Sequence, residues 1–176
     1  MKFVDTPLVG SFLIETEART DTRGFFARAF CRHEFEAHAL VYDVAQCNIS
    51  FNVQKGTLRG MHYQIAPHQE VKLVRCTAGA IYDVIIDLRA DSPTFCRWFG
   101  IELSCENRRM LYVPRGFAHG YLTLRDSSEV FYQVSEFYQP SSERGVRWND
   151  PTICIQWPLE PRVISEKDRA YPNLLP

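Results

Sequence analysis

Short runs of alternating apolar and polar residues, punctuated by Gly, Pro, Asn, Asp and Ser, dominate the chain. Period-two alternation over four to eight residues is the signature of a half-buried β-strand. On this basis strands are predicted over residues 12–14, 43–51, 57–64, 70–76, 80–88, 96–103, 109–113, 120–124 and 130–137. The turns between them carry Gly79, Asp91-Ser92-Pro93, Cys105-Glu106-Asn107 and Asp126-Ser127-Ser128, residues that favour tight reversals. Two short helices interrupt the pattern. One is predicted over residues 32–38, with Phe35 turned inward among charged neighbours. The other is a turn over 165–168, with Ser165 as N-cap and Asp168 at the acidic third position of a capping box. Regularly spaced strands with few helices predict an all-β jelly roll or barrel.

Strand parity sharpens this pattern. Lys72 shares a face with Val74 and Cys76, so its ammonium either snorkels outward or occupies a pocket. Tyr132 shares a face with Val134, Glu136 and Tyr138. Asp83 and Asp87 alternate with Ile81 and Ile85 on one face, which calls for a buried cation near one of them, and Lys72 near Asp83 is the expected pair. Arg59 and His62 are three residues apart, so a regular strand would point them to opposite faces. A bulge at Gly60 would bring them together.

Composition narrows the class. A chain of 176 residues suits one domain, here 1–176, with a sizeable core. The formal net charge of −1, with both signs interspersed, gives no polybasic surface for nucleic acid. No apolar run approaches the ~20 residues of a membrane helix. The opening MKFVDTPLVGSF has Asp and Pro where a signal peptide needs an unbroken apolar stretch, so a cytoplasmic location is expected. The six cysteines form no CxxC pair and no zinc-like spacing, and Cys47, Cys76 and Cys154 are expected as buried free thiols.

Two clusters carry chemistry. KGTLRGMHYQ (55–64) places a fixed, fork-shaped cation, Arg59, near an imidazole that can take or give a proton, His62. PRGFAHGY (114–121) sets a second histidine, His119, between two glycines. The segment Pro114-x-Gly116-x-x-His119 resembles half of a metal-cupin signature. The other half requires a histidine two residues after His62, where this chain has Gln64, so a facial metal triad is not expected.

Taken in order, DTRGFF (21–26), QCN (46–48), LRGMHYQ (58–64), KLVR (72–75), DVIIDLR (83–89), SPT (92–94), PRGFAHG (114–120), WNDP (148–151) and SEKD (165–168) resemble the nucleotide-sugar 3,5-epimerases of the dTDP-4-dehydrorhamnose 3,5-epimerase family. Each motif alone is weak, but nine in order across residues 5–172 are highly specific. The resemblance implies a cupin-type jelly roll, a homodimer, no metal and no organic cofactor. It further implies epimerisation of a nucleoside-diphosphate 4-keto-6-deoxyhexose at C3 and C5. In that scheme His62 is the base, Asp168 orients it, Tyr132 is the acid on the opposite face of the sugar, and Lys72 stabilises the C4 oxyanion. Arg59, with Arg23 and His119, serves the diphosphate. Gln46 and Asn48 line the nucleotide end, Tyr138 stacks on substrate, and Arg23 and Phe25 reach into a partner's site. One departure falls at the nucleotide end: Arg28 stands where family members commonly carry Glu.

Overall fold

The structure is a computed structural model that describes residues 1–174. The chain begins with β1 (Lys2–Asp5), β2 (Phe12–Glu15), a hairpin of β3 (Arg19–Asp21) and β4 (Gly24–Phe26), and helix α1 (Arg32–Ala37). It continues through β5 (Gln46–Asn52), β6 (Thr57–Gln64), β7 (Lys72–Ala78), β8 (Ala80–Asp87), β9 (Trp98–Ser104), β10 (Met110–Val113), β11 (Phe117–Thr123) and β12 (Ser128–Val134). Short strands β13 (Glu143–Gly145) and β14 (Val163–Ile164) precede helix α2 (Glu166–Ala170).

Two antiparallel sheets face each other. One has the order β1-β2-β10-β7-β12-β5, and the other β13-β6-β11-β8-β9, with β14 added in parallel to β6. The core between them is built from Leu13, Val74, Leu111 and Val130 on the first sheet and Ile81, Ile85, Leu103 and Tyr121 on the second. Apolar burial of this kind supplies the main driving force for sheet-on-sheet packing. Phe35 of α1 closes the outer side of the first sheet against Ile14, Leu73 and Tyr112. Val146, Ile153 and Ile155 of the C-terminal segment close the outer side of the second against Met61, Val84 and Ile86. The jelly-roll expectation holds, and so do α1 and its inward Phe35.

Gly60 makes the predicted bulge. His119 of β11 pairs with His62, whereas Tyr121, two residues on, pairs with Arg59, three residues back, so β6 carries one extra residue. Only glycine suits the position, because φ is +127° and an added Cβ would lie 2.5 Å from the Gly120 Cα. The register slip lets both Arg59 and His62 line the same cleft.

Other expectations change. Cys76 is buried, but Cys47 and Cys154 are exposed: Cys47 lies on the outward face of edge strand β5, and Cys154 follows a turn. Asp83 does not pair with Lys72. Its carboxylate takes His119 at 2.8 Å, while Lys72 pairs with Glu70 at 3.1 Å. Asp87 does hold a cation, Arg89, at 2.7 Å. Ser165 caps α2 as predicted, accepting from the Asp168 amide at 3.0 Å. The box does not close in return, because the Asp168 carboxylate is directed at β6 instead. Among the described residues no helix is long and apolar enough to cross a membrane.

Candidate active site

At one end of the sandwich the inward-facing residues turn polar. Beyond Val74 and Val130 in the core, the same faces of β7 and β12 present Lys72 and Tyr132, and the inward face of β5 presents Gln46, Asn48 and Ser50. Opposite them the second sheet presents His62 and Arg59 from β6 and His119 from β11. The result is a cleft of two adjoining lobes, about 460 and 480 Å³, which share His62, Lys72 and Tyr132. Gln46, Asn48 and Tyr138 line one lobe, and Arg59, His119 and Asp168 the other. Volumes in this range suit a small-molecule ligand.

The base candidate sits in a tight frame. His62 Nε2 lies 2.7 Å from Asp168 Oδ1, and the Gly60 N–H donates to Asp168 Oδ2 at 3.1 Å. Asp168 is only 4% exposed. Burial alone would raise its carboxyl, but the His62 hydrogen bond and charge, with the Gly60 amide, outweigh that and hold it below the ordinary value. It therefore stays ionised near neutrality. A carboxylate on Nε2 places the proton there and leaves Nδ1 as the basic nitrogen.

On the facing sheet, burial raises the Tyr132 hydroxyl above the ordinary tyrosine value; Arg59 opposes this shift and Glu70 adds to it. Tyr132 thus keeps its proton and is available as an acid. Lys72 is nearly buried and held by Glu70, whose other oxygen accepts from the Gln64 amide at 2.6 Å. Arg59 is oriented by Asn52, its Nε donating to Oδ1 at 2.8 Å.

Three expected residues lie elsewhere on this chain. Arg23 is bound to Asp21 on the exposed β3–β4 hairpin, Phe25 lies beneath the Arg108 guanidinium, and Arg28 pairs with Glu34 in a separate hollow beside Met1. Sequence reasoning did not single out Glu143 and Lys167, which meet at 2.6 Å at the rim of the two lobes, with the Tyr138 hydroxyl donating to Glu143 at 2.7 Å. Lys167 lies beside Asp168 in the SEKD segment, which was a usable signal; Glu143 sits on a three-residue strand without a pattern. Among the described residues no three His, Cys, Asp or Glu side chains converge as metal ligands.

The family model described as dTDP-4-dehydrorhamnose 3,5-epimerase matches residues 5–175. The chain belongs to the dTDP-4-dehydrorhamnose 3,5-epimerase family. A family member from Methanothermobacter thermautotrophicus is 44% identical over 176 residues, spanning 98% of this chain and 94% of its own. A Bacillus anthracis dTDP-4-dehydrorhamnose 3,5-epimerase, solved with TDP and pyrophosphate bound, superposes with a TM-score of 0.95 at 42% identity, covering 98% and 99% of the two chains. The Legionella pneumophila epimerase in complex with dTDP-4-keto-L-rhamnose gives 0.91 at 37% identity, covering 98% of this chain and 92% of its own. The jelly roll expected for the epimerase family is thus shared by these solved structures.

Proposed function

We propose that this protein epimerises a dTDP-4-keto-6-deoxyhexose at C3 and C5, converting dTDP-4-dehydro-6-deoxyglucose to dTDP-4-dehydrorhamnose. The observation that carries this reading is an imidazole and a phenol on opposing sheets across one cleft, His62 on β6 and Tyr132 on β12, the residue types a base and an opposite-face acid require. A hexose lying flat between them presents one face to each group. The nucleotide and keto-sugar ligands of the Bacillus and Legionella enzymes support the substrate class.

The chemistry follows from the residue types. A C–H next to a ketone is weakly acidic, so its removal needs a positioned base and a partner for the developing enolate. His62 Nδ1 takes the proton from C5, the electron pair moves onto the C4 oxygen, and the Lys72 ammonium stabilises that oxyanion. The enolate collapses back as Tyr132 delivers its hydroxyl proton to the other face of C5, and solvent then returns a proton to Tyr132 and removes one from His62. The same cycle at C3 inverts the second centre. General acid–base assistance of this kind supplies ~10²–10⁴-fold, and oxyanion stabilisation a comparable factor or more. Arg59 and His119 hold the diphosphate, so that remote binding positions the ring. Gln46, Asn48 and Tyr138 line the adjoining lobe beside the sugar.

A homodimer completes this reading. The polarity of β5 is inverted: Gln46, Asn48, Ser50 and Asn52 face inward, whereas Ile49 and Phe51 face outward, 67% and 53% exposed. With Val53, Phe25 and Phe26 also exposed, an apolar surface is available for a second copy. Arg23 and Phe25 on the exposed hairpin then approach the partner's cleft, and Arg28 meets the nucleotide end there. Light scattering coupled to gel filtration tests the mass, and a monomer would refute the dimer.

The function is tested by incubating the protein with dTDP-4-keto-6-deoxyglucose in deuterated water. Deuterium at both C3 and C5, lost in His62→Ala, is expected. Deuterium at C3 alone would make the protein a 3-epimerase, and none at either position would refute the assignment.

A further inference from the structure

Asp168 is not the only side chain that reaches His62 from the C-terminal segment. Tyr171, the C-cap of α2, packs its ring edge-on against the His62 imidazole, with centroids 5.7 Å apart and planes at 68°. Such T-shaped pairs have a preferred geometry and restrict both rings. The seat for this ring is Gly145, the cross-strand partner of His62 on β13. A Cβ at Gly145 would lie 2.5 Å from three atoms of the Tyr171 ring, so the ring occupies the space of the missing side chain.

The backbone around Tyr171 is fixed on both sides. Pro172 stops the helix and favours the extended conformation found at Tyr171 (φ −58°, ψ 143°). Beyond it, the Arg147 N–H donates to the Pro172 carbonyl at 2.9 Å, and the Leu174 N–H to the buried Asp150 carboxylate at 2.5 Å. The Tyr171 hydroxyl is buried and, among the described residues, has no hydrogen-bond partner, an arrangement that costs stability. Burial also raises its pKa, so the hydroxyl stays protonated near neutrality. Its contact with His62 is made by the ring.

We propose that Tyr171 is a positioning residue for the base: its ring, seated on Gly145, fixes the plane of the His62 imidazole and shields the His62–Asp168 hydrogen bond from water. This deepens the epimerase reading and rests on His62 being the base. Asp168 then sets which nitrogen carries the proton, while Tyr171 sets where the free nitrogen points. A small misplacement of a reacting group is costly, up to about 100-fold for 1 Å.

The test compares Tyr171→Phe, Tyr171→Leu and Gly145→Ala, each alone and in an Asp168→Asn background. Tyr171→Phe keeps kcat within about twofold, because the ring remains. Tyr171→Leu and Gly145→Ala lower kcat by between about 10- and 100-fold with KM nearly unchanged, and add less than about twofold in the Asp168→Asn background, where the ring proton already sits on Nδ1 and the direction of that nitrogen no longer matters. Gly145→Ala displaces the ring without deleting it, so the test survives if Tyr171→Leu does not fold. A second readout needs no substrate: the hydrogen-bonded His62 N–H proton, followed by NMR in the ligand-free protein, exchanges slowly in the wild type and in Tyr171→Phe, and rapidly in the other two. Wild-type protein without turnover would remove the epimerase reading, and the proton-exchange measurement would still judge the clamp. Full kcat in Tyr171→Leu, losses that simply add to those of Asp168→Asn, or an unchanged exchange rate would each overturn the proposal.

Discussion

Replacing Asp168 by Asn isolates the part played by the carboxylate behind the base. The side chain serves two neighbours, accepting from the Gly60 N–H at 3.1 Å and meeting His62 Nε2 at 2.7 Å. An asparagine has one acceptor oxygen and one donor nitrogen. Gly60 can only donate, so it takes the oxygen, and the amide NH2 is left facing Nε2. Nε2 must then accept, which moves the ring proton to Nδ1, the nitrogen that has to receive the proton from the sugar. The substitution thus leaves the frame intact and inverts the tautomer. In a histidine–carboxylate pair of this kind the penalty is on the order of 10⁴ in kcat, and about 10³–10⁴ is expected here, equivalent to roughly 4–5.5 kcal/mol of barrier. Initial rates of dTDP-4-keto-6-deoxyglucose turnover, with KM determined in parallel, measure it. Retention of more than about a tenth of the wild-type kcat, in protein with unchanged thermal stability, would refute the reasoning.

Other perturbations separate the remaining roles. Tyr132→Phe removes the opposite-face acid but not the base, so product formation falls by ~10²–10⁴ while deuterium still enters substrate recovered with unchanged configuration; loss of both together would show that Tyr132 is needed for abstraction itself. Lys72→Met deletes the partner of the C4 oxyanion and lowers kcat by about 10²–10³, a loss that extra substrate does not rescue. Asp87 provides a stability test away from the cleft. Burial would raise this carboxyl, but bonds from Arg89, Ser92 and Thr94 overcome it and bring it to about 2. Its folded pKa lies below the ordinary 3.8, so its stabilisation of about 2 kcal/mol is present above pH 4 and is lost as pH falls through about 2. Urea denaturation should show Asp87→Asn less stable by about this amount at pH 7, with the gap closing in acid; a constant gap would contradict the assignment.

The sequence revealed the elements with a strong local signal and missed those whose structure depends on a neighbour. Strand β6 matched its predicted span, because Thr57–Gln64 alternates on either side of Gly60 and is bounded by turn residues. The bulge at Gly60 was legible as the only way to bring Arg59 and His62 to one cleft, and the register bears it out. By contrast β13 and β14, three and two residues long, exist because β6 offers an edge to pair with, and no periodicity marks them. The resemblance pointed to cleft residues inside the motifs, such as His62 with Asp168, and outside them, such as Tyr132 and Tyr138, but not to the Lys72–Glu70 and Asp83–His119 pairs. Parity placed Asp83 and Lys72 on inward faces and suggested that they meet. The observed partners, His119 and Glu70, are set by cross-strand register and by the loop before β7, which parity does not report. Tyr171 was invisible for the same reason: its contact with His62 depends on a glycine 26 positions away.

The central claim is that base and acid address opposite faces of one sugar. A crystal structure of the protein with dTDP-glucose tests it most directly. The account predicts the hexose between β6 and β12, with His62 Nδ1 and the Tyr132 hydroxyl on opposite faces near C3 and C5, and the diphosphate on Arg59 and His119. A sugar bound with both groups on the same face, or lying outside the space that they share, would contradict it.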